Sequence, residues 1–218
     1  MGDGTEFDKD DDELLTAWRA GDTRAGERLY LRHEDRVYRF FRTKLNDLAA
    51  VEDLVQETFL VLAKGSEFRK EARVTTFLLG IARNKLLTHY RKQKRNKQLG
   101  DKVEEQSAVA LSNPGAFTLL EGKHNQRLLL EALRRLPLDR QILMELYYWE
   151  DLSNTEIAEV LGIPPATVRS RLARTKEKLA KALAAMTHAD LKTTETTLES
   201  WASSVGLELS KSMGEQRA

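Results

Sequence analysis

Ser153, Glu156, Gly162, Pro164, Pro165, Arg169, Ser170, Arg171 and Arg174 follow one another in an order that suits insertion into a DNA groove. Ser153 and Glu156, three apart, have the spacing of a capping box, so a helix is expected to start there. Ile157, Ala158 and Leu161 supply its apolar stripe, and Ala158 is small enough for a second helix to cross closely. Gly162 suits the left-handed residue that ends many helices, a conformation a Cβ disfavours. The second helix opens at Pro164-Pro165, where the amide hydrogens that proline lacks would have had no partner. Val168 and Leu172, four apart, face the first helix. Thr167, Arg169, Ser170, Arg171 and Arg174 remain outward, groups suited to phosphates and guanine edges. This is the pattern of a helix-turn-helix. An ordinary helical hairpin with a solvated basic face shares the periodicity, but not the coincidence of cap, glycine, prolines and cations.

A second cationic run lies upstream. Arg83, Lys85, Arg91, Lys92, Lys94, Arg95 and Lys97 have no carboxylate between them, while Lys176, Lys178 and Lys181 extend the downstream patch against Glu177. The formal net charge of +1 conceals this segregation. Two basic patches suggest two contacts with nucleic acid, with a solvated charged face as the alternative for either alone. At the start of the chain Asp3, Glu6, Asp8, Asp10, Asp11, Asp12 and Glu13 oppose a lone Lys9, and residues 1–12 are expected to form a disordered acidic leader.

The composition argues against other chemistries. The chain has 218 residues, room for one or two domains, and no cysteine, so disulfides, thiolate metal sites and cysteine nucleophiles are absent. His33, His89, His124 and His188 are too dispersed for a local zinc motif. No phosphate-binding glycine loop, nucleophile elbow or HExxH pattern occurs, so the chain is not expected to be an enzyme or to carry a cofactor or metal. No apolar run approaches a membrane span and the acidic opening is unlike a signal peptide, which together with the missing cysteines leads to an expected cytoplasmic location.

Helical spacing organises two stretches. From Glu13 to Lys97 it runs through Leu14, Leu15 and Trp18, then Leu29, Val37 and Phe41, then Leu54, Phe59 and Leu62, then Phe77, Leu78 and Ile81, with breaks at Gly21-Asp22 and Asn46-Asp47. Residues 98–124, with Gly100, Ser107, Ser112 and Asn113-Pro114-Gly115, have the composition of a flexible linker. Periodicity returns at Leu128, Leu129, Leu133 and Leu136, passes Pro137, and continues through Ile142, Leu143 and Leu146 into the helix-turn-helix. The expected fold is all-α: two small helical domains, 13–97 and 125–186, joined by the linker, with a C-terminal extension at 187–218.

Val51-Glu52-Asp53-Leu54-Val55-Gln56-Glu57-Thr58-Phe59, then Phe77-Leu78-Leu79-Gly80-Ile81-Ala82-Arg83-Asn84, then Arg134-Arg135-Leu136-Pro137 ahead of the helix-turn-helix carry a family resemblance. In their order and spacing the chain resembles a bacterial RNA polymerase sigma factor of the extracytoplasmic-function class, the small type of the sigma-70 family with only domains 2 and 4. The resemblance covers about Leu14 to Leu183.

That resemblance implies roles for named residues. Asp53, Gln56 and Glu57 would contact the coiled coil of the largest subunit of core polymerase, on one helical face opposite Leu54, Phe59 and Leu62; domain 4 would meet the flap region. Lys64 to Val74 would be the loop that captures an unstacked base of the minus-ten element, with Lys64, Gly65, Ser66, Phe68, Phe77 and Asn84 beside the melted strand. Phe77 stands where the family usually has tryptophan, and its apolar neighbours favour a place in the core over a stacking wedge. Arg83, Arg91, Lys92 and Arg95 would hold the phosphate backbone. Thr167, Arg169, Ser170, Arg171 and Arg174 would read the duplex minus-thirty-five element, and Pro165-Ala166 stands where an acidic residue and glycine are common in the family. The linker, with Glu104, Glu105 and Glu121, would thread toward the RNA exit path as a strand mimic or serve as a plain tether. Regulation would fall to an anti-sigma factor or to the extension.

Two readings from other classes compete. A dimeric helix-turn-helix regulator would explain the C-terminal module but not the segments at Asp53 and Phe77; a helical interaction protein would make the basic faces incidental.

Beyond the resemblance, Leu191, Thr194, Leu198, Trp201 and Val205 repeat at spacings of three and four. Such a stripe is amphipathic, and Trp201 is costly to leave in water, so the extension is expected to dock, against a disordered tail favoured by Ser203-Ser204 and Gly206. Truncation after Met186 should therefore change run-off transcription with core polymerase. Unaltered transcription and an unaltered melting curve would remove the docking role.

Overall fold

The polar residues at the helix starts and the apolar stripes between them produce eight α-helices and no strand among the described residues. The computed structural model describes residues 4–65, 73–98 and 124–187. The chain divides into two compact units, Met1–Val103 and Glu104–Ala218, each with its own core.

The first unit contains α1 (Gly4–Arg19), α2 (Thr23–Arg42), α3 (Leu48–Lys64) and α4 (Val74–Gln98). Its breaks fall where the sequence places them. Asp22 caps α2 by accepting from the amides of Arg24 (2.9 Å) and Ala25 (3.3 Å), and Asp47 caps α3 by accepting from Ala49 (3.1 Å) and Ala50 (3.3 Å). Leu15, Leu29, Phe40, Phe41, Leu62, Leu78, Leu79 and Leu86 are fully buried where the four helices meet. Gly26 permits the closest approach in this packing, since a Cβ there would lie 2.4 Å from Nε1 of Trp18. Arg19, at the end of α1, donates from Nε and Nη2 to the Leu62 carbonyl at 3.2 and 2.8 Å, occupying an acceptor that the end of α3 leaves open.

One expectation is overturned. From Gly4 onward the acidic stretch lies within α1 rather than in a disordered leader, and α2 supplies cations to two of its carboxylates. Asp10 pairs with Arg32 at 2.7 Å, and buried Asp11 meets both Arg32 and buried His33. The His33 Nε2 to Asp11 Oδ2 distance is 2.6 Å, while Arg36 donates to His33 Nδ1 at 3.3 Å. A guanidinium only donates, so Nδ1 is the acceptor and the proton sits on Nε2, toward Asp11.

The second unit contains α5 (His124–Arg134), α6 (Leu138–Tyr148), α7 (Asn154–Leu161) and α8 (Pro165–Thr187), with α8 packed against the other three. Leu129, Ile142, Leu143, Leu146, Ile157, Val168, Leu172, Leu179 and Leu183 fill the core. Arg140 of α6 ties this packing down by donating to the Arg171 carbonyl and to Thr175 Oγ1, both at 3.2 Å. Nearly all of the expected linker 98–124 and of the extension 187–218 lie outside the described residues, as do Glu104, Glu105, Glu121 and Trp201.

Burial pushes the Asp11 carboxyl upward, but hydrogen bonds from His33 and Arg32, together with the Arg32 charge, outweigh it and leave it below the usual carboxylate range. A depressed carboxylate contributes stability that is present above its unfolded value and is lost as pH falls through the folded one. Asp11→Ala should therefore lower stability by about 1–3 kcal/mol at neutral pH, since it leaves buried His33 without its acceptor and removes one of the acceptors of Arg32. Below the ordinary carboxylate value the gap from wild type should narrow; thermal melts across that range check both effects.

Candidate functional site

Burial of one side of α3 determines what its other side can offer. Val51, Leu54, Val55, Thr58, Phe59 and Leu62 are buried, and Glu52, Asp53, Gln56 and Glu57 are exposed opposite them. Asp53 and Gln56 thus lie on one outward face, as their spacing requires. Glu57 shares that face but is engaged: Lys85 Nζ of α4 donates to its Oε2 at 2.8 Å. This hydrogen bond, before the weaker influence of Lys92 and His89, holds the Glu57 carboxyl below its usual range. The spacing of the basic run did not reveal this carboxylate partner, because it comes from another helix.

The same face carries two groups that the motif reading passed over. Leu60 is 54% exposed and Val61 38%. The signal was present, since 53, 56, 57, 60 and 64 continue one series of threes and fours, so an outward face through Asp53 and Gln56 has to include Leu60.

Around the expected minus-ten residues the picture is mixed. Lys64 is exposed and Gly65 half-buried, while Ser66 and Phe68 lie outside the described residues. Phe77 is half-buried, whereas Val74, Leu78 and Leu79 are fully inside. The expectation of a core position is therefore corrected to the margin of the core, because the inward stripe of α4 passes through 74, 78, 82 and 86 and leaves 77 at its edge. Arg83 is half-buried, with Nη1 3.5 Å from Oδ1 of exposed Asn84. Arg91, Lys92 and Arg95 are exposed along the following turns.

The capping box at α7 forms as its spacing foretells. Glu156 N donates to Ser153 Oγ at 3.3 Å and Ser153 N donates to Glu156 Oε2 at 2.8 Å. Gly162 ends the helix at φ 65°, ψ 39°, with its own amide donating to Glu159 O and that of Ile163 to Ala158 O. Val168 and Leu172 are buried on α8. At about 100° per residue, Thr167, Ser170 and Arg174 occupy the middle of the outward arc, and Arg169 and Arg171 flank it on opposite sides. The flanks differ. Arg171 is half-buried, with Nη1 3.9 Å from Oδ2 of Asp139 on α6. Arg169 and Arg174 are exposed and, among the described residues, make no ion pair or side-chain hydrogen bond. Ser170 Oγ donates to the Thr167 carbonyl at 3.1 Å, which keeps its lone pairs outward as acceptors.

Among the described residues no cluster of three or more His, Cys, Asp or Glu could hold a metal, and no helix is long and apolar enough to cross a membrane. The arrangement offers outward faces suited to binding.

Comparison with known proteins gives these faces a context. The sigma-70 region 2 family matches residues 29–96 and the sigma-70 region 4 family matches residues 126–179. The RNA polymerase sigma factor HrpL of Pseudomonas syringae is 30% identical over 142 residues, 64% of this chain and 77% of that protein. This chain belongs to the sigma-70 family of RNA polymerase sigma factors. The ECF RNA polymerase sigma factor SigM of Mycobacterium tuberculosis, 28% identical over 84% of this chain and 89% of its own, is consistent with the extracytoplasmic-function class. In fold the chain is similar to the Bartonella quintana sigma factor RpoE in complex with the anti-sigma factor NepR (TM-score 0.56, 24% identity, 72% of this chain and 95% of that one). It is likewise similar to CnrH in complex with the cytosolic domain of CnrY (TM-score 0.58, 23% identity, 81% and 98%).

As a sigma factor the chain is a transcription initiation factor rather than a catalyst. Its region 2 match runs from within α2 to near the end of α4, and its region 4 match takes in the whole helix-turn-helix. The turn of this sigma factor depends on Gly162, where a Cβ would meet nothing within 4 Å and only the positive φ resists a side chain. Gly162→Ala should cost about 1–2 kcal/mol in a denaturant melt. Gly162→Asn should cost less, since asparagine tolerates the left-handed region; equal losses would point to packing instead.

Proposed function

We propose that this sigma factor binds core RNA polymerase through the outward face of α3, opens the minus-ten element with α4 and the segment before it, and reads the minus-thirty-five element with α8. The observation that supports the reading is that, within the family-matched segments, α3 leaves Asp53 and Gln56 exposed, α4 leaves Arg91, Lys92 and Arg95 exposed, and α8 leaves Arg169, Ser170 and Arg174 exposed. Asp53, Gln56 and Glu57 would meet the largest-subunit coiled coil. Lys64, Gly65, Ser66, Phe68, Phe77 and Asn84 would border the captured strand, with Arg83, Arg91, Lys92 and Arg95 on its phosphates. Free energy from core polymerase and from the duplex upstream would then offset the unpairing of bases downstream. The domain boundaries 13–97 and 125–186 would separate these tasks. The anti-sigma factor NepR bound to RpoE supports an anti-sigma partner for this chain as well.

Within the upstream contact the arc of α8 separates two roles. Arg174, central with Ser170 and Thr167, would face base edges, and Arg169, on the open flank, would face phosphates; Arg171, restrained toward Asp139, would lie between these roles. In run-off transcription and footprinting with core polymerase, Arg174→Ala should lose about 1–3 kcal/mol of discrimination between promoter and scrambled upstream sequence. Arg169→Ala should weaken all sequences alike and reduce the salt dependence. If Arg174→Ala leaves selectivity intact, α8 is not the reading helix in the register proposed.

A further inference from the structure

Leu60 occupies the middle of the outward face of α3, and its surroundings differ on its two sides. Toward the helix N-terminus lie Glu52, Asp53 and Gln56, all exposed, the two carboxylates without an ion pair among the described residues. Toward the C-terminus a shallow depression opens between α3 and α4, lined by Glu57, Leu60, Val61, Lys64, Gly65 and Lys85. Its floor is apolar and its wall is the Glu57–Lys85 pair, 2.8 Å long, in which each charge already has its partner.

A single exposed leucine needs no explanation. Leu60 is not single: Val61 adjoins it, the depression continues from both, and a polar rim surrounds them, the arrangement in which one truncation removes much of an interface's affinity. The rim also has polarity along the helix, acidic at Glu52 and Asp53 and cationic at Lys64.

We propose that Leu60 and Val61 form the seat for an apolar side chain of a helix of core polymerase, and that this seat, rather than the carboxylates, supplies most of the affinity of the α3 face. The proposal rests on the reading of α3 as the polymerase-docking helix and names the chemistry of its partner. That partner is a helix with a protruding aliphatic or aromatic residue and a lysine or arginine about one turn away, seated so that its cation lies over Asp53. Glu57 then acts as wall through Lys85, while Asp53 and Gln56 orient the helix. Apolar burial carries the affinity and the exposed charges carry the direction of approach.

The experiment measures the affinity of the full chain for core polymerase at low and at high salt. Leu60→Ser should bind roughly tenfold or more weakly at both, because apolar burial is not screened by salt. Leu60→Met should stay within about threefold of wild type, since volume and polarity are kept. Asp53→Ala/Gln56→Ala should lose affinity at low salt and much less at high salt. Leu31→Ser, at a residue 63% exposed on α2, should bind as wild type. All four exposed-site variants should melt with wild type. Leu60→Ser binding as wild type while Asp53→Ala/Gln56→Ala weakens would overturn the seat and leave the docking face standing. Wild-type affinity in every variant would overturn the docking face itself. Equal losses in Leu60→Met and Leu60→Ser, or in Leu31→Ser and Leu60→Ser, would also overturn the seat.

Discussion

Each helix here has one apolar stripe, and burying that stripe sets the rotation of the helix about its axis. The cost of leaving Leu54, Phe59 and Leu62 in water, of order 1.5–3 kcal/mol for each such side chain, leaves α3 no alternative rotation. Asp53 and Gln56 face outward as a consequence, and so does Leu60. The same argument governs α8, where Val168, Leu172 and Leu179 turn inward and Ser170 and Arg174 are left at the centre of the exposed arc. Because side chains on a helix recur on one face every three or four residues, the core and the binding surfaces are two sides of one decision.

Charge is divided by a different rule. Several cations that look available along the chain are held by acceptors from another helix: Lys85 by Glu57, Arg32 by Asp10 and Asp11, and Arg19 by the Leu62 carbonyl. Those that remain exposed on α4, Arg91, Lys92, Lys94 and Arg95, follow one another over little more than a turn, a better match to a phosphate backbone than the longer run they belong to. In the second unit Arg171 leans toward Asp139 while Arg169 and Arg174 do not. Internal pairing thus selects from the basic residues the subset that a polyanion can recruit without first breaking an ion pair.

The competing readings part at this level. A dimeric DNA-binding regulator would need the second unit alone, and it leaves the α3 face and the cationic turns of α4 without a purpose. The family matches fall on both units, region 2 on the first and region 4 on the second, which a regulator of that kind would not require.

What the sequence determined by itself was everything that rests on neighbours three or four residues apart: the caps at Asp22, Asp47 and Ser153, the left-handed stop at Gly162, the inward stripes of α3 and α8, and the helix-turn-helix they add up to. Local hydrogen bonds and helical periodicity act within a turn, so residue order is enough to read them. Only the tertiary structure decided that the acidic start belongs to α1, since the counter-charges for Asp10 and Asp11 lie on α2. It also decided that Glu57 is bound to Lys85 and that Phe77 stands at the margin of the core. Those outcomes depend on which helices meet and at what rotation, and the long-range packing that brings distant side chains within hydrogen-bonding distance leaves no trace in the spacing of either partner.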